Sequence, residues 1–584
     1  MDAKSQTELP GVPPPPRVRR ARWSTIAVGV SFLALLHFFV SPSVRSIYRL
    51  HGPPLDTSAP VCPQANPVAP EKNGALWNEL IAFHATSEFI TRAVGQLSAA
   101  VQIPTETFDE MDPVGEDERW VTRAPFIEHL AAAFPLLNAS LELQRVNTYG
   151  LIYIWQGSDT SLKPLLLMSH YDVVPVAPSS ADQWTHPAYS GYFDGENIWG
   201  RGSWDDKSGV ISKLVTIEAL LEKNFVPTRT VVLSFGFDEE AGGAHGARFL
   251  APALLERFGP DSFAMIVDEG GGFVEQFGGI FALPGVAEKG AANVNIEIQT
   301  PGGHSSIPPE YTSIGMLAAL IVHFENNAPV PSLEVDTPVF EMLQCFAVHA
   351  PDVPSVLKRA VLRARRSRTA LKLAEAMLLE IPAVKAVVST TQAVDVINGG
   401  VKSNALPEQA MAVVNHRIAT QSSVNTTLTR DAGLFKEIAA RFNLSVTAFG
   451  ELLTPAAAAG ASYGSLSLRA PETLEPSPIS PSDTPPFHLF AGTIRATFHA
   501  ARKDVKGGEK EIFIAPGVMP GNGDTRFYWD LSPHIYRYGH DNLIGIGEES
   551  GGIHSVDEHI HVGAFMEMIT FFTTLILNAD EAML

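Results

Sequence analysis

Apolar and polar positions along this chain repeat in two ways. Leu165 to Met168, Thr230 to Phe235 and Phe263 to Val267 are continuous apolar runs of the length of buried strands. Between the first two, Ile211, Leu214, Val215, Ile217, Leu220 and Leu221 recur at helical spacing. Strands alternating with helices predict an α/β domain. From about Gly290 the texture changes to strict alternation, with Val294, Ile296 and Ile298 separated by polar residues. A Gly-Gly-His-Ser-Ser turn, an apolar helix over Met316 to Phe324, a strand over Ala410 to Ile418, a helix over Asp431 to Phe442 and a strand over Leu444 to Phe449 follow. That pattern predicts a second, antiparallel α+β domain. An Ala- and Pro-rich stretch, Thr454 to Pro486, marks the return to the first.

The amino terminus has its own pattern. Arg17, Arg19, Arg20 and Arg22 precede an apolar run from Trp23 to Val40 that ends before Ser41-Pro42. Its eighteen residues rise roughly 27 Å as a helix, enough for a single transmembrane span. A cleaved signal peptide shares this pattern, but the run is long for one and no small-residue cleavage site is clear. The flanking arginines predict a cytosolic tail over residues 1–22, an anchor over 23–40 and a stalk over 41–70. The bulk of the chain is then lumenal, a type II arrangement that three sequons, at Asn138, Asn425 and Asn443, fit. The domains predicted after the stalk are residues 71–289, an inserted domain over 290–470, and a return to the first over 471–584.

Composition narrows the chemistry. The 584 residues carry 42 Lys and Arg against 63 Asp and Glu, a net charge of −21, which excludes a nucleic-acid binder that needs a basic surface. A run of seven basic residues without an acid, Lys358 to Lys372, reads as a solvated helix face. The two cysteines, Cys62 and Cys345, can pair in an oxidising compartment but cannot form a thiolate metal cage. A metal here must use His and carboxylates.

Each predicted strand of the first domain ends in such residues: Ser169-His170-Tyr171-Asp172, Asp238-Glu239-Glu240 and Asp268-Glu269-Gly270. Sites in open α/β sheets gather beyond the carboxyl ends of strands, so three loaded strand ends mark a site. Asp205 and Asp206 precede the helix that starts near Gly209, and His554 comes late in the chain. Adjacent acids such as Glu239 and Glu240 repel unless a cation sits beside them or one is protonated. Oxygen and nitrogen donors without sulfur suit zinc, with cobalt or manganese as substitutes.

The ordered series HYDVVP, GRGSWDDKSG, DEEAGG, DEGGG, GGHSS and GIHSVDEHI resembles the co-catalytic di-zinc exopeptidases of clan MH, the family of aminoacylase and glutamate carboxypeptidase. Spacing, the DEGG form and the anchor are most similar to its fungal vacuolar carboxypeptidase S (Gly-X carboxypeptidase) branch. The resemblance implies a catalytic domain with a mixed central sheet flanked by helices and an inserted lid domain. It implies two zinc ions, one on His170 and Asp268, the other on Glu240 and His554, with Asp205 bridging and a cis peptide before Asp206. Asp172 would orient His170, and Glu239 would be the general base. His304, Asn404 and Arg417 would bind substrate, with His304 supplied in dimeric relatives by the partner subunit. Asp524, Thr525 and Arg526 resemble another family segment, but Gly523 stands where the family has Thr.

The implied reaction is removal of the last residue from short peptides, Gly-X sequences among them, in the vacuole. An alternative with the same chemistry is hydrolysis of N-acyl amino acids, fatty-acyl ones included. A remote one is a membrane-anchored binding protein without catalysis. The implied partners are a short peptide or an N-acyl amino acid, the membrane through one helix, and a second copy through the lid; cell surface or secretion is the other location.

Overall fold

The computed structural model describes residues 60–454, 463–503, 510–541 and 551–584. The predicted tail, anchor and most of the stalk lie outside them.

The three apolar runs become neighbouring parallel strands. β1 (Glu142–Val146), β2 (Gly150–Trp155), β3 (Leu165–His170), β4 (Val231–Gly236), β5 (Met265–Asp268) and β6 (Gly285–Glu288) join two late strands, Ile535–Arg537 and Gly517–Met519. The order across this mixed eight-stranded sheet is β1, β2, β4, β3, β5, Ile535–Arg537, β6, Gly517–Met519. β3 pairs in parallel with both β4 and β5, whereas β1–β2 and β2–β4 are antiparallel. Every residue of β2, β3, β4 and β5 is buried, as expected for strands covered on both faces. Parallel pairing sets the carboxyl ends of β3, β4 and β5 side by side.

The alternating run forms β7 (Gly290–Gln299), with the buried side of the alternation at Val294, Ile296 and Ile298. It pairs antiparallel with β9 (Gln409–Ile418), which also pairs β8 (Thr391–Gly399). β10 (Leu444–Ala448), β11 (Gly464–Arg469), Glu451–Thr454 and Thr473–Leu474 complete this seven-stranded sheet. Part of the Ala- and Pro-rich stretch is therefore strand. Helices Ser313–Asn326 and Val424–Arg441 bury Leu317, Leu320, Phe324, Phe435 and Ala439 with one face of the sheet.

Helices α1 (Gly74–His84), α2 (Lys207–Glu222), α3 (Pro338–His349), α4 (Pro485–Arg502) and α5 (Val562–Glu581) complete the frame. Among the described residues α5 alone is long and apolar enough to cross a membrane. With 83% of its apolar window buried, it is a core helix, packed on α2 and α4. The basic run folds into helices Ser355–Arg363 and Arg368–Leu378, with Arg359, Arg368 and Lys372 exposed and Leu357, Val361 and Leu378 turned to a core shared with Phe340 and Phe346 of α3. Cys345 of α3 is disulfide-bonded to Cys62.

His84 closes α1 at 4% exposure, and burial, reinforced by Arg92, pushes its pKa down to about 3. Below an unfolded value of about 6.5 the unfolded chain takes up a proton that the folded chain does not. Stability is therefore lost as pH falls through that value. His84→Phe is expected to gain about 2 kcal/mol relative to the parent between pH 7.5 and pH 5, read by denaturant unfolding at both. A difference that does not change with pH would contradict this.

Candidate metal centre

His170 is the last residue of β3 and is 1% exposed. Its Nδ1 lies 3.2 Å from Asp172 Oδ1, and its Nε2 faces the pocket, 3.2 Å from Asp205 Oδ1. Asp172, fully buried, also accepts the backbone N–H groups of Glu239 (3.1 Å) and Glu240 (3.2 Å). One carboxylate thus ties the end of β3 to the turn that follows β4.

Asp205 and Asp206 are joined by a cis peptide before α2, and Asp206 caps that helix by accepting from Gly209 N–H. The second oxygen of Asp205 is 3.2 Å from His554 Nε2, which is also 3.1 Å from Glu240 Oε2. Asp205 therefore presents one oxygen to each imidazole. Burial would raise its pKa, but hydrogen bonds from His170 and His554 hold it below the ordinary aspartate value.

The strand end after β5 carries two adjacent acids, one of which the sequence reading makes a ligand. Asp268, read there as a ligand, is buried at the end of β5, and its Oδ1 accepts the Glu269 N–H at 3.0 Å. Glu269 places Oε1 3.3 Å from His170 Nε2. Successive side chains at a strand end point to opposite sides, and the apolar run alone does not reveal which of two adjacent acids faces the pocket. Asp268 still borders the site, with Oδ2 about as near Gly523 as Glu239 Oε1 is.

Glu239 Oε2 stands 3.9 Å from His170 Nε2. Burial and the charges of Glu269, Asp524 and Glu240 push the Glu239 carboxyl well above its ordinary pKa. Burial also raises Glu240, Glu269 and, to about 6, Asp268. In His170 burial is outweighed by Glu269, Asp172 and Asp205, which raise the imidazole. So many crowded carboxylates around two imidazoles fit a site for divalent cations: hard oxygen and nitrogen donors, with negative charge in excess.

Two supporting acids were not singled out from the sequence. Glu558, 1% exposed, accepts N–H groups of Gly202, Trp204 and Asp205 at 3.0 to 3.2 Å and pairs with Arg201 at 2.5 Å. It fixes the backbone that presents Asp205, and its only sequence trace is its place in HSVDEHI. Glu288, paired with Arg537 at 2.7 Å, accepts from Gly523 N–H and Thr525 Oγ1 at 2.8 Å. These bonds hold the Gly523-Asp524-Thr525 loop beside Glu239.

The residues expected from the second sheet separate into two places. His304 is exposed on a short ladder with Ala405, and Ser305 N–H bonds Asn404 O at 3.2 Å, so His304 and Asn404 are neighbours. Arg417 pairs with Ala291, while Gln409 at the other end of β9 pairs with Gln299. Eight residues of strand separate those ends by roughly 27 Å. Arg417 instead donates to Asn522 Oδ1 at 3.1 Å, next to the loop beside Glu239. Within one chain, His304 and Asn404 do not meet Arg417.

Residues 166–578 match the model of Peptidase family M20/M25/M40. Carboxypeptidase S of Saccharomyces cerevisiae is 37% identical over 563 residues, covering 95% of this chain and 95% of that protein. The N-fatty-acyl-amino acid synthase/hydrolase of Homo sapiens is 32% identical over 494 residues, 83% of this chain and 87% of that one. Human carnosine dipeptidase 1 shares the fold, with a TM-score of 0.57 at 14% identity over 88% of this chain and 100% of its own.

Proposed function

The chain belongs to peptidase family M20/M25/M40, and from that membership we propose a metallocarboxypeptidase that removes the last residue from short peptides, Gly-X sequences among them. It is a hydrolase acting on peptide bonds. The observation that carries the reading is the shared carboxylate of Asp205, one oxygen toward His170 and the other toward His554. We assign two zinc ions to His170, Asp205, Glu240 and His554, with a fifth ligand, a carboxylate, from the Asp268-Glu269 pair. Glu269 is favoured by its 3.3 Å approach to His170.

Divalent ions held there would supply Lewis acidity to a scissile carbonyl and to water. Glu239, beside them and biased toward protonation, takes the proton of the attacking water and returns it to the leaving amine. Asp172 keeps His170 Nδ1 occupied, so that Nε2 faces the pocket. Arg417 offers a guanidinium for the substrate's terminal carboxylate. His304 and Asn404 then reach a site only from a second copy, so we propose a homodimer through the inserted domain, residues 290–470.

We place the catalytic part in the vacuolar lumen, tethered by residues 23–40; the Cys62–Cys345 bond supports an oxidising compartment. Hydrolysis of N-acyl amino acids is the second reading, favoured by the likeness to the human fatty-acyl enzyme. The full chain with zinc is expected to release leucine faster from a blocked Gly-Leu dipeptide than from fatty-acyl leucine. The reverse order would establish the second reading, and silence on both would leave a binding protein.

A further inference from the structure

Before residue 166, where the match to the family model begins, the chain buries a cation beside two strand ends of the catalytic domain. Arg123, the first residue of helix Arg123–Ala133, is fully buried. Burial lowers its pKa, but an arginine side chain does not lose its proton in a protein. A desolvated cation is costly unless opposite charge and hydrogen bonds surround it. The buried carboxylates of Asp172 and Asp238 supply the charge, and the Trp120 ring centre lies 4.8 Å from the guanidinium carbon. Nη1 donates to Glu106 O and Thr122 Oγ1, both at 2.9 Å. Nη2 donates to Thr107 Oγ1 and, at 3.4 Å, to Phe237 O. Thr107 Oγ1 in turn donates to the same Phe237 carbonyl at 3.4 Å. These acceptors border the two strand ends that carry the chemistry. Glu106 is bridged to Val173, with Thr107 N–H on Val173 O at 3.0 Å and Val173 N–H on Thr105 O at 3.1 Å, just past His170-Tyr171-Asp172 at the end of β3. Phe237 follows β4 and is separated from Glu239 by Asp238 alone. One guanidinium thus joins the same two strand ends that the Asp172 carboxylate joins through the Glu239 and Glu240 N–H groups.

We propose that Arg123, acting through Thr107 and the Phe237 carbonyl, is a positioning residue for Glu239. It rests on the reading of Glu239 as the base. Arg123 sets where the turn after β4 stands, and a base misplaced by about 1 Å loses on the order of 10²-fold in rate. Substrate affinity and the zinc ligands do not depend on that placement, so the cost falls on kcat.

The test uses the full, zinc-loaded chain and the blocked Gly-Leu dipeptide. Thr107→Val keeps the size of the side chain and removes the shared hydroxyl; it is expected to lower kcat about tenfold, with KM within about threefold and zinc content as in the parent. Thr107→Ser restores the hydroxyl and is expected to return kcat to within about twofold. Arg123→Lys keeps the charge but not the fork, and is expected to cost about 30-fold in kcat. The readout that a merely structural role would not move is Thr107→Val placed on Glu239→Gln. With no base left to position, the second change should cost less than about twofold. An equal loss on both backgrounds, a Thr107→Ser protein as slow as Thr107→Val, or parent kcat in Thr107→Val overturns the proposal. If Arg123→Lys does not fold, the Thr107 variants decide alone. A Glu239→Gln protein within about tenfold of the parent identifies the base reading as the failure, and the proposal falls with it.

Discussion

Glu239→Gln is expected to lower kcat about 10³-fold while metal content and Tm remain those of the parent. The substitution keeps size and hydrogen-bonding capacity but removes the group that holds and moves the proton. Glu239 makes no direct approach to His554, and it stands 3.9 Å from His170 Nε2, outside the closer contacts at 3.2 Å and 3.3 Å that Asp205 and Glu269 make to that imidazole. A base should therefore be separable from a ligand. Its backbone N–H, which Asp172 anchors, is untouched by the change, so the turn after β4 is retained. The measurement is steady-state turnover beside metal analysis of the same sample. Loss of metal together with activity would make Glu239 a ligand, and activity within about tenfold of the parent would remove it from proton transfer.

The parts of the fold visible in the sequence are those where periodicity and burial agree. Leu165 to Met168, Thr230 to Phe235 and Phe263 to Val267 sit in a sheet covered on both faces, so each reads as an unbroken apolar run, and each becomes a parallel strand with its acids at one edge. The alternation of Val294, Ile296 and Ile298 likewise announces a sheet with one face covered. Where side-chain direction decides, the sequence is silent. Asp268 and Glu269 have identical local signals, and only the backbone bond from Glu269 N–H to Asp268 Oδ1 separates their directions. Glu558 acts through buried backbone contacts that no spacing rule encodes. Arg417 and Asn404 fall in one sequence segment, yet a strand runs between them and carries them to opposite ends of β9. The basic run reads as a solvated helix face and forms one, but its charges mask the apolar stripe beneath it that packs around Phe340 and Phe346.

Removing the metal with a chelator is expected to abolish hydrolysis and to destabilise the fold by about 3 kcal/mol when the free ion had stood near 100 times its Kd. The direction follows from the charges. Glu239, Glu240, Asp268 and Glu269 are each pushed toward protonation by burial, and for Glu269 the charges of Asp205 and Asp206 add to it. Cations bound in the folded state and not the unfolded one relieve that repulsion, so their loss lowers Tm as well as rate. The same measurement separates the two adjacent acids. Glu269→Gln should bind one zinc fewer per chain than the parent and show part of the chelator's Tm loss, because its Oε1 is the carboxylate nearest His170 Nε2 after Asp205. Asp268→Asn should keep both ions, since the Asn side-chain oxygen can still accept the Glu269 N–H that Asp268 Oδ1 holds at 3.0 Å. Metal counts in the opposite order would return the ligand to Asp268, and a chelator that strips zinc without changing Tm would show that the carboxylates, not the ions, set the balance of the site.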